Sequence, residues 1–203
     1  MCVYVDPNES VARMRSATST PSTGVPLSRS MAETSVDLRN SSMYLSRIGM
    51  TWDFPPRTVL VVAKYKASEV FPMLLGLTER LAEELHLTVL LESYHWESDI
   101  VHHPQWAAVA ESPNVHVFDP KDEARAREID FVVTLGGDGT VLYAASLLQV
   151  ESPPFVCFHL GSLGFLTTFD FEEQAAVIDN VIAGVRRWTL YCSVYIYGDT
   201  VLL

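Results

Sequence analysis

Two glycine-rich turns, 25 positions apart, each follow closely after a short apolar run. The turn at 136–140 comes after Phe131–Leu135, and the turn at 161–166 comes after Phe155–His159. Both runs are rich in β-branched and aromatic residues, which is typical of buried strands. Because open parallel sheets bind ligands at the carboxyl ends of their strands, we expect both turns to lie at one ligand-binding edge.

Strand-like runs alternate with helix-like periodicity from about residue 56 to 185, starting with the fully apolar run Thr58–Ala63. This alternation predicts an α/β fold with a doubly wound parallel sheet. Residues 93–113 hold two prolines and show no clear period, so we predict a loop there. The domain between 56 and 185 is therefore the part of the chain expected to carry the site.

The two ends of the chain differ from this central domain. Residues 1–55 are predicted to be a disordered tail, because most of this segment is rich in Ser and Thr and poor in large apolar residues. Apolar and polar residues alternate from 187 to 197, which predicts a half-buried antiparallel strand. We therefore expect 186–203 to be the truncated start of a second, β-rich domain, with the partners of this strand beyond the end of the chain.

The charge distribution excludes some classes of partner. Residues 51–203 carry 9 basic and 21 acidic side chains, and the whole chain has a net charge of −11. Such an acidic surface argues against nonspecific binding to nucleic acid. No apolar stretch approaches the 18 or so residues of a membrane span, so no membrane partner is predicted.

The three cysteines, Cys2, Cys157 and Cys192, form neither a disulfide framework nor a metal-binding spacing, and we predict no metal site in the protein. The lack of a disulfide framework predicts a reducing, cytoplasmic location. Arginines within the Ser/Thr-rich start of the chain leave a mitochondrial transit peptide as the alternative, although Asp6 and Glu9 argue against it.

The first turn carries a carboxylate, Asp138, between glycines that allow the backbone to approach a ligand. Phosphoryl transfer depends on positioning and charge neutralisation more than on covalent participation. An ionised aspartate here could orient an attacking hydroxyl, accept its proton or hold a metal that bridges phosphates. The alternative is structural, since Asp in a glycine-rich turn often only caps the next helix.

With Gly-Gly-Asp-Gly at 136–139 and Leu-Gly-Phe-Leu at 163–166, the chain resembles the NAD kinases, the fungal members above all. The resemblance implies the Rossmann-like N-terminal domain of that family and transfer of a phosphoryl group from ATP, with Mg²⁺, to the 2′-hydroxyl of the adenosine ribose of NAD, giving NADP. It assigns the role of proton acceptor to Asp138 and also implies a homo-oligomer. The residues placed against the nucleotide are Gly136, Gly137, Gly139, Thr140, Leu142, Gly161, Leu163, Gly164, Phe165 and Leu166.

Several of these roles have alternatives. Thr140 also fits a helix terminus, Leu142 a core position, and Phe165 a hydrophobic plug below a second domain. At the level of function, one alternative is a truncated, catalytically silent paralogue that still binds nucleotide, because the family's Asn-Glu substrate-binding segment is not found in this chain. The other is a diacylglycerol-kinase-like enzyme, since such kinases share the Gly-Gly-Asp-Gly turn.

Overall fold

The apolar run that opens the central domain forms the middle of a six-stranded parallel sheet. In the computed structural model, the described residues are 2–5, 25–27, 47–52, 54–65, 67–93, 104–148, 153–183, 187–192, 195–197 and 200–202. The strands, in chain order, are β1 (Cys2–Val5), β2 (Val25–Leu27), β3 (Arg47–Trp52), β4 (Thr58–Ala63), β5 (Thr88–Glu92), β6 (Val115–Phe118), β7 (Phe131–Leu135), β8 (Phe155–His159), β9 (Phe169–Asp170), β10 (Arg187–Cys192), β11 (Tyr195–Tyr197) and β12 (Thr200–Leu202).

Helices connect the strands of this sheet. They are α1 (Phe71–Glu79), α2 (Pro104–Ala110), α3 (Glu123–Ala126), α4 (Asp138–Leu147) and α5 (Gln174–Ile182). Short 3₁₀ segments precede α1 and α5, and a π-helical segment, Arg80–Glu84, follows α1. In the described part of the chain, no helix is both long enough and apolar enough to cross a bilayer.

The spatial order of the large sheet is β6-β5-β4-β7-β8-β9, and every neighbouring pair is parallel. The chain therefore leaves the centre in one direction after β4 and in the other after β7, so the strand order reverses between these two strands. Such a reversal opens a crevice at the carboxyl ends of the strands, and that crevice is where doubly wound sheets bind nucleotides.

The two faces of the sheet bury separate cores, as the alternation of side chains along β4 requires. Val59 and Val61 pack on the face covered by α1, α2 and α5, whereas Leu60 and Val62 pack on the face covered by α3 and α4. Both faces of β4 and β7 are fully buried, which explains why these strands read as continuous apolar runs. The predicted doubly wound parallel sheet is confirmed.

Two predictions within the domain need correction. Residues 93–113 are not all loop, since α2 lies within them and its Trp106 is buried against Phe71 of α1. The two prolines of this segment argued against a helix, but Pro104 stands at the first position of α2, where a missing N–H costs little, and Pro113 lies after its end. The two-residue strand β9 was also not predicted, because it is too short to show a period.

Three strands lie within the first 55 residues, where composition predicts none. One of them, β3, is antiparallel to β10, and another, β1, pairs with the other side of β10. The predicted antiparallel strand is therefore present over Arg187–Cys192, but its partners come from the N-terminal segment and not from beyond the chain. The division into a tail, a central domain and a second domain stays a prediction.

Candidate functional site

The turns after β4, β7 and β8 meet at the carboxyl edge of the sheet. The Lys64 N–H donates to the Leu135 carbonyl at 2.8 Å, and the Gly136 N–H donates to the Phe158 carbonyl at 3.0 Å. These bonds extend the strand pairing by one residue on either side of β7. They hold the first glycine turn directly between the segment after β4 and the end of β8.

Asp138 joins the two glycine turns. It is the first residue of α4, and its carboxylate reaches across to the second turn, where Oδ2 accepts the Phe165 N–H and Oδ1 accepts the Leu166 N–H, each at 2.9 Å. The positive end of the α4 dipole favours a negative charge at this position. Since each carboxylate oxygen can accept more than one hydrogen bond, both retain capacity for a ligand.

Two glycines make this arrangement sterically feasible. A methyl group at Gly164 would overlap Asp138 Oδ1 and would lie 2.5 Å from Thr167 Oγ1. A methyl group at Gly136 would overlap the Thr140 hydroxyl and would lie 3.2 Å from Lys64 Cβ. Gly164 therefore allows the second turn to approach Asp138, and Gly136 allows the first turn to pack closely against Thr140 and Lys64.

The other glycines of the turns serve different needs. Gly161 has a φ of +126°, which side-chain-bearing residues rarely adopt. Gly137 and Gly139 face open space, with no atom within 4 Å of an added methyl group. Neither packing nor strain explains the last two, which leaves a bare surface of backbone at the start of α4.

The apolar residues of the predicted site divide into exposed and packed ones. Leu163 is 70 % and Phe165 74 % exposed, and Leu142 on α4 is also exposed. Leu166 is half-buried against the core under α4, and Thr140 is buried with its hydroxyl beside Gly136. The exposed side chains are available to a ligand, while Leu166 and Thr140 belong to the walls that hold the turns in place.

Three further residues at this edge were not identified from the sequence. Lys64 follows β4 beside the first turn and forms an exposed ion pair with Glu69, with 3.7 Å between Nζ and Oε1. Glu92 ends β5 and accepts a hydrogen bond of 3.2 Å from the Tyr143 hydroxyl of α4. A polar residue directly after an apolar strand is the same signal that pointed to Asp138, so Lys64 and Glu92 could have been found.

The pKa of Tyr143 is raised above the ordinary value for a tyrosine. Burial raises the pKa of its phenol, and the negative charge of Glu92, the hydrogen bond to it and the nearby Tyr65 raise it further. The phenol therefore stays protonated and donates to Glu92 over the physiological pH range.

Known proteins resemble the central part of this chain. Residues 59–185, more than half of the chain, match the family model of the ATP-NAD kinase N-terminal domain. The chain belongs to the NAD kinase family. This finding confirms the predicted resemblance and selects it over the diacylglycerol-kinase-like alternative.

Individual NAD kinases resemble the chain over different lengths. A probable NAD kinase 1 of Oryza sativa is 31% identical over 156 residues, which cover 76% of this chain and 28% of the relative. The NAD(+) kinase of Saccharomyces cerevisiae is 44% identical over 81 residues, covering 37% of this chain and 15% of that protein. Among solved structures, yeast NADH kinase complexed with NADH matches with a TM-score of 0.57 and 25% identity, over 71% of this chain and 43% of that chain.

The chain spans less than a third of the length of these curated relatives and less than half of the yeast NADH kinase chain. The part that it shares with them is the α/β domain with both glycine turns. Fold and family are therefore established for this NAD kinase domain, whereas its substrates and turnover are matters for proposal.

Proposed function

We propose that this chain is the nucleotide-binding domain of a kinase that transfers the γ-phosphoryl group of ATP to the 2′-hydroxyl of the adenosine ribose of NAD, giving NADP. The observation that carries the proposal is the pair of hydrogen bonds by which Asp138 holds the second glycine turn against the first. A carboxylate held at two points by backbone has a fixed position, and fixed positioning is the main requirement of phosphoryl transfer.

In this mechanism, Asp138 is the proton acceptor. The 2′-oxygen of the ribose forms a bond to the γ-phosphorus, the bond from that phosphorus to the β,γ-bridging oxygen breaks, and ADP leaves. The hydroxyl proton passes to a carboxylate oxygen of Asp138, which still has acceptor capacity beside its backbone hydrogen bonds.

The adenosine half of NAD would lie along the second glycine turn. Leu163 and Phe165 present their apolar side chains to solvent there, and an aromatic ring beside a bound adenine adds a stacking surface. Gly137 and Gly139 leave room for the ribose or the phosphates to contact the backbone at the start of α4. These assignments extend to Leu142, which is exposed on the same helix.

The donor phosphates would lie over the start of α4, where Lys64 supplies a cation in an otherwise acidic protein. Mg²⁺ would enter as a complex with ATP, because it is usually held by substrate phosphates and waters with few protein ligands. Bound to the phosphates, it would supply positive charge that offsets the negative charge of the transferred group.

The test is NADP formation, detected with an NADP-specific dehydrogenase. Because the chain spans only part of its relatives, we would assay it alone and as a chimera continued by the C-terminal part of the yeast NAD(+) kinase. We expect the chimera to form NADP, and Asp138→Ala to lower its kcat by about a hundredfold or more. A chimera that folds but leaves NAD unphosphorylated would contradict the proposal.

The cellular setting and assembly follow from the same proposal. We place the kinase in the cytoplasm, because its three cysteines show no disulfide framework in the sequence, although one similar yeast protein is named a mitochondrial NADH kinase. We also propose that it acts as a homo-oligomer without nucleic-acid or membrane partners. Sedimentation of the purified protein and imaging of a tagged chain test these two points.

A further inference from the structure

A buried carboxylate, Glu92, lies at the ligand-binding edge and has no role in the steps proposed above. It ends β5, next to β4, and only 6 % of it is exposed. Within the described residues, no lysine, arginine or histidine forms an ion pair with it. Burying an acid away from a compensating cation costs free energy, so packing alone does not account for its presence.

The hydrogen bonds that the described residues make to Glu92 use only one of its two oxygens. The Tyr143 hydroxyl donates to Oε1 at 3.2 Å, and the Ser93 hydroxyl donates to the same oxygen at 3.4 Å. Among the residues that the structure describes, none donates to Oε2. A carboxylate orientated through one oxygen presents the other as an acceptor for a ligand hydroxyl.

The strand order indicates which ligand would supply the hydroxyl. In the order β6-β5-β4-β7-β8-β9, β5 corresponds to the second strand of a dinucleotide-binding sheet, and an acid near the end of that strand typically binds ribose hydroxyls. Glu92 and the second glycine turn lie on opposite sides of the reversal between β4 and β7. Two nucleotides could therefore approach α4 from its two sides.

We infer that Glu92, held by Tyr143 and Ser93, is the subsite for the ribose hydroxyls of the phosphoryl-donor nucleotide. This inference rests on the proposed kinase function and adds the place where the donor is recognised. Tyr143 lies five residues after Asp138, which corresponds to roughly 7.5 Å along α4. The triphosphate of a donor bound at Glu92 can thus extend along this helix to the transfer site at its start.

The exposed aromatic rings near Glu92 fit the same ligand. Tyr65 follows β4 and is more than half exposed, and Tyr143 is 42% exposed although its hydroxyl donates to Glu92. Aromatic rings beside a ribose-binding acid provide a surface for a nucleobase. A free inorganic phosphate or polyphosphate donor would use neither the acid nor these rings.

The test compares the binding of four probes to the 203-residue chain by NMR titration: ATP, 2′-deoxy-ATP, 3′-deoxy-ATP and tripolyphosphate. We expect ATP to bind about tenfold or more tightly than at least one deoxy analogue, because a hydrogen bond to a charged acceptor is lost. Glu92→Gln keeps the shape of the side chain and the Oε1 acceptor. It should weaken the binding of ATP by a similar factor, abolish the difference in affinity between ATP and the deoxy analogues, and leave the affinity for tripolyphosphate unchanged.

The matched control is Asp119→Asn, an exposed acid that follows β6 at the same edge, one strand further out. It should leave all four affinities unchanged. Equal affinity of the wild-type chain for ATP and both deoxy analogues would overturn the subsite, as would undiminished discrimination in Glu92→Gln. A chain that binds NAD but not ATP would also overturn the subsite while leaving the proposed NAD site intact, whereas a chain that binds neither would overturn both.

Discussion

Asp138 accepts the backbone N–H of Phe165, 27 positions further along the chain, through an oxygen 2.9 Å from that nitrogen. The second oxygen of the carboxylate accepts the N–H of Leu166 at the same distance. Candidate proton acceptor and candidate nucleotide wall are thus parts of one hydrogen-bonded unit. Changes at Asp138 must therefore affect the shape of the site as well as its chemistry.

Asp138→Asn should destabilise the second turn. An amide has only one acceptor oxygen, so either Phe165 or Leu166 would face an N–H₂ group with its own N–H. Losing a charge-assisted bond of this kind costs about 1–3 kcal/mol. Hydrogen exchange should show lower protection of the amides of Phe165 and Leu166, while the amides of β4 keep theirs.

A second acid provides the control for that substitution. Asp130 accepts the N–H groups of Arg57 and Thr58 through one oxygen, Oδ2, so Asp130→Asn can keep both bonds. We expect Asp130→Asn to cost distinctly less unfolding free energy than Asp138→Asn. Equal costs would mean that the two oxygens of Asp138 do not both hold the second turn.

Two glycine substitutions should distinguish the role of turn geometry in NAD binding from the role of direct contact between backbone and ligand. In Gly164→Ala, the new methyl group would overlap Asp138, so we expect lower stability, looser turn geometry and weaker NAD binding. In Gly139→Ala, the methyl group meets open space within α4, where alanine is favoured over glycine by about 1 kcal/mol.

Gly139→Ala should therefore raise the unfolding free energy while weakening nucleotide binding, because the methyl group covers exposed backbone. Thermal unfolding and NAD titration of both variants check this pair of expectations. Unchanged NAD affinity in Gly139→Ala would show that the ligand does not approach the start of α4.

The titration of Tyr143 should occur above the ordinary tyrosine pKa of about 10. Burial is the largest cause and Glu92 the next, so Glu92→Gln should lower the pKa of Tyr143 without restoring the ordinary value. The unfolded chain, whose phenol has the ordinary pKa, loses the proton first as the pH rises. The contribution of Tyr143 to the free energy of unfolding is therefore complete below about pH 10. It disappears as the pH rises through the pKa of Tyr143 in the folded protein.

Titration of ¹³Cζ-labelled tyrosines by NMR, assigned with Tyr143→Phe, measures this effect. The expected order is wild-type Tyr143 highest, Tyr143 in Glu92→Gln lower, and a denatured reference lowest. An ordinary pKa for Tyr143 in the wild-type protein would mean that the hydroxyl does not donate to Glu92.

The sequence predicted the doubly wound parallel sheet well because the signals of its strands are local. Strands such as Phe131–Leu135 are buried on both faces and so read as continuous apolar runs, and their order along the chain determines a doubly wound sheet. Asp138 was identified because it stands between glycines after such a strand. Its hydrogen bond to the Phe165 N–H could not be predicted, because every residue type except proline carries the same backbone N–H group.

Other features depended on long-range contacts and were missed for that reason. The pairing of β10 with β1 and β3 joins the two ends of the chain, and no periodicity links segments so far apart. The hydrogen bond between Tyr143 and Glu92 is likewise a contact over 51 positions. Tyr143 and Glu92 come together only because the sheet topology places α4 beside the end of β5.

The most direct measurement of the central claim is the response of backbone amides in the 203-residue chain to NAD, followed by NMR with ADP-ribose and nicotinamide mononucleotide as comparison ligands. We expect NAD and ADP-ribose to shift the amides of Gly137, Gly139, Phe165 and Leu166 together, and nicotinamide mononucleotide, which lacks the adenosine half, to leave them unchanged. Shifts confined to other parts of the chain, or equal shifts with nicotinamide mononucleotide, would contradict an adenosine-binding site between the two glycine turns.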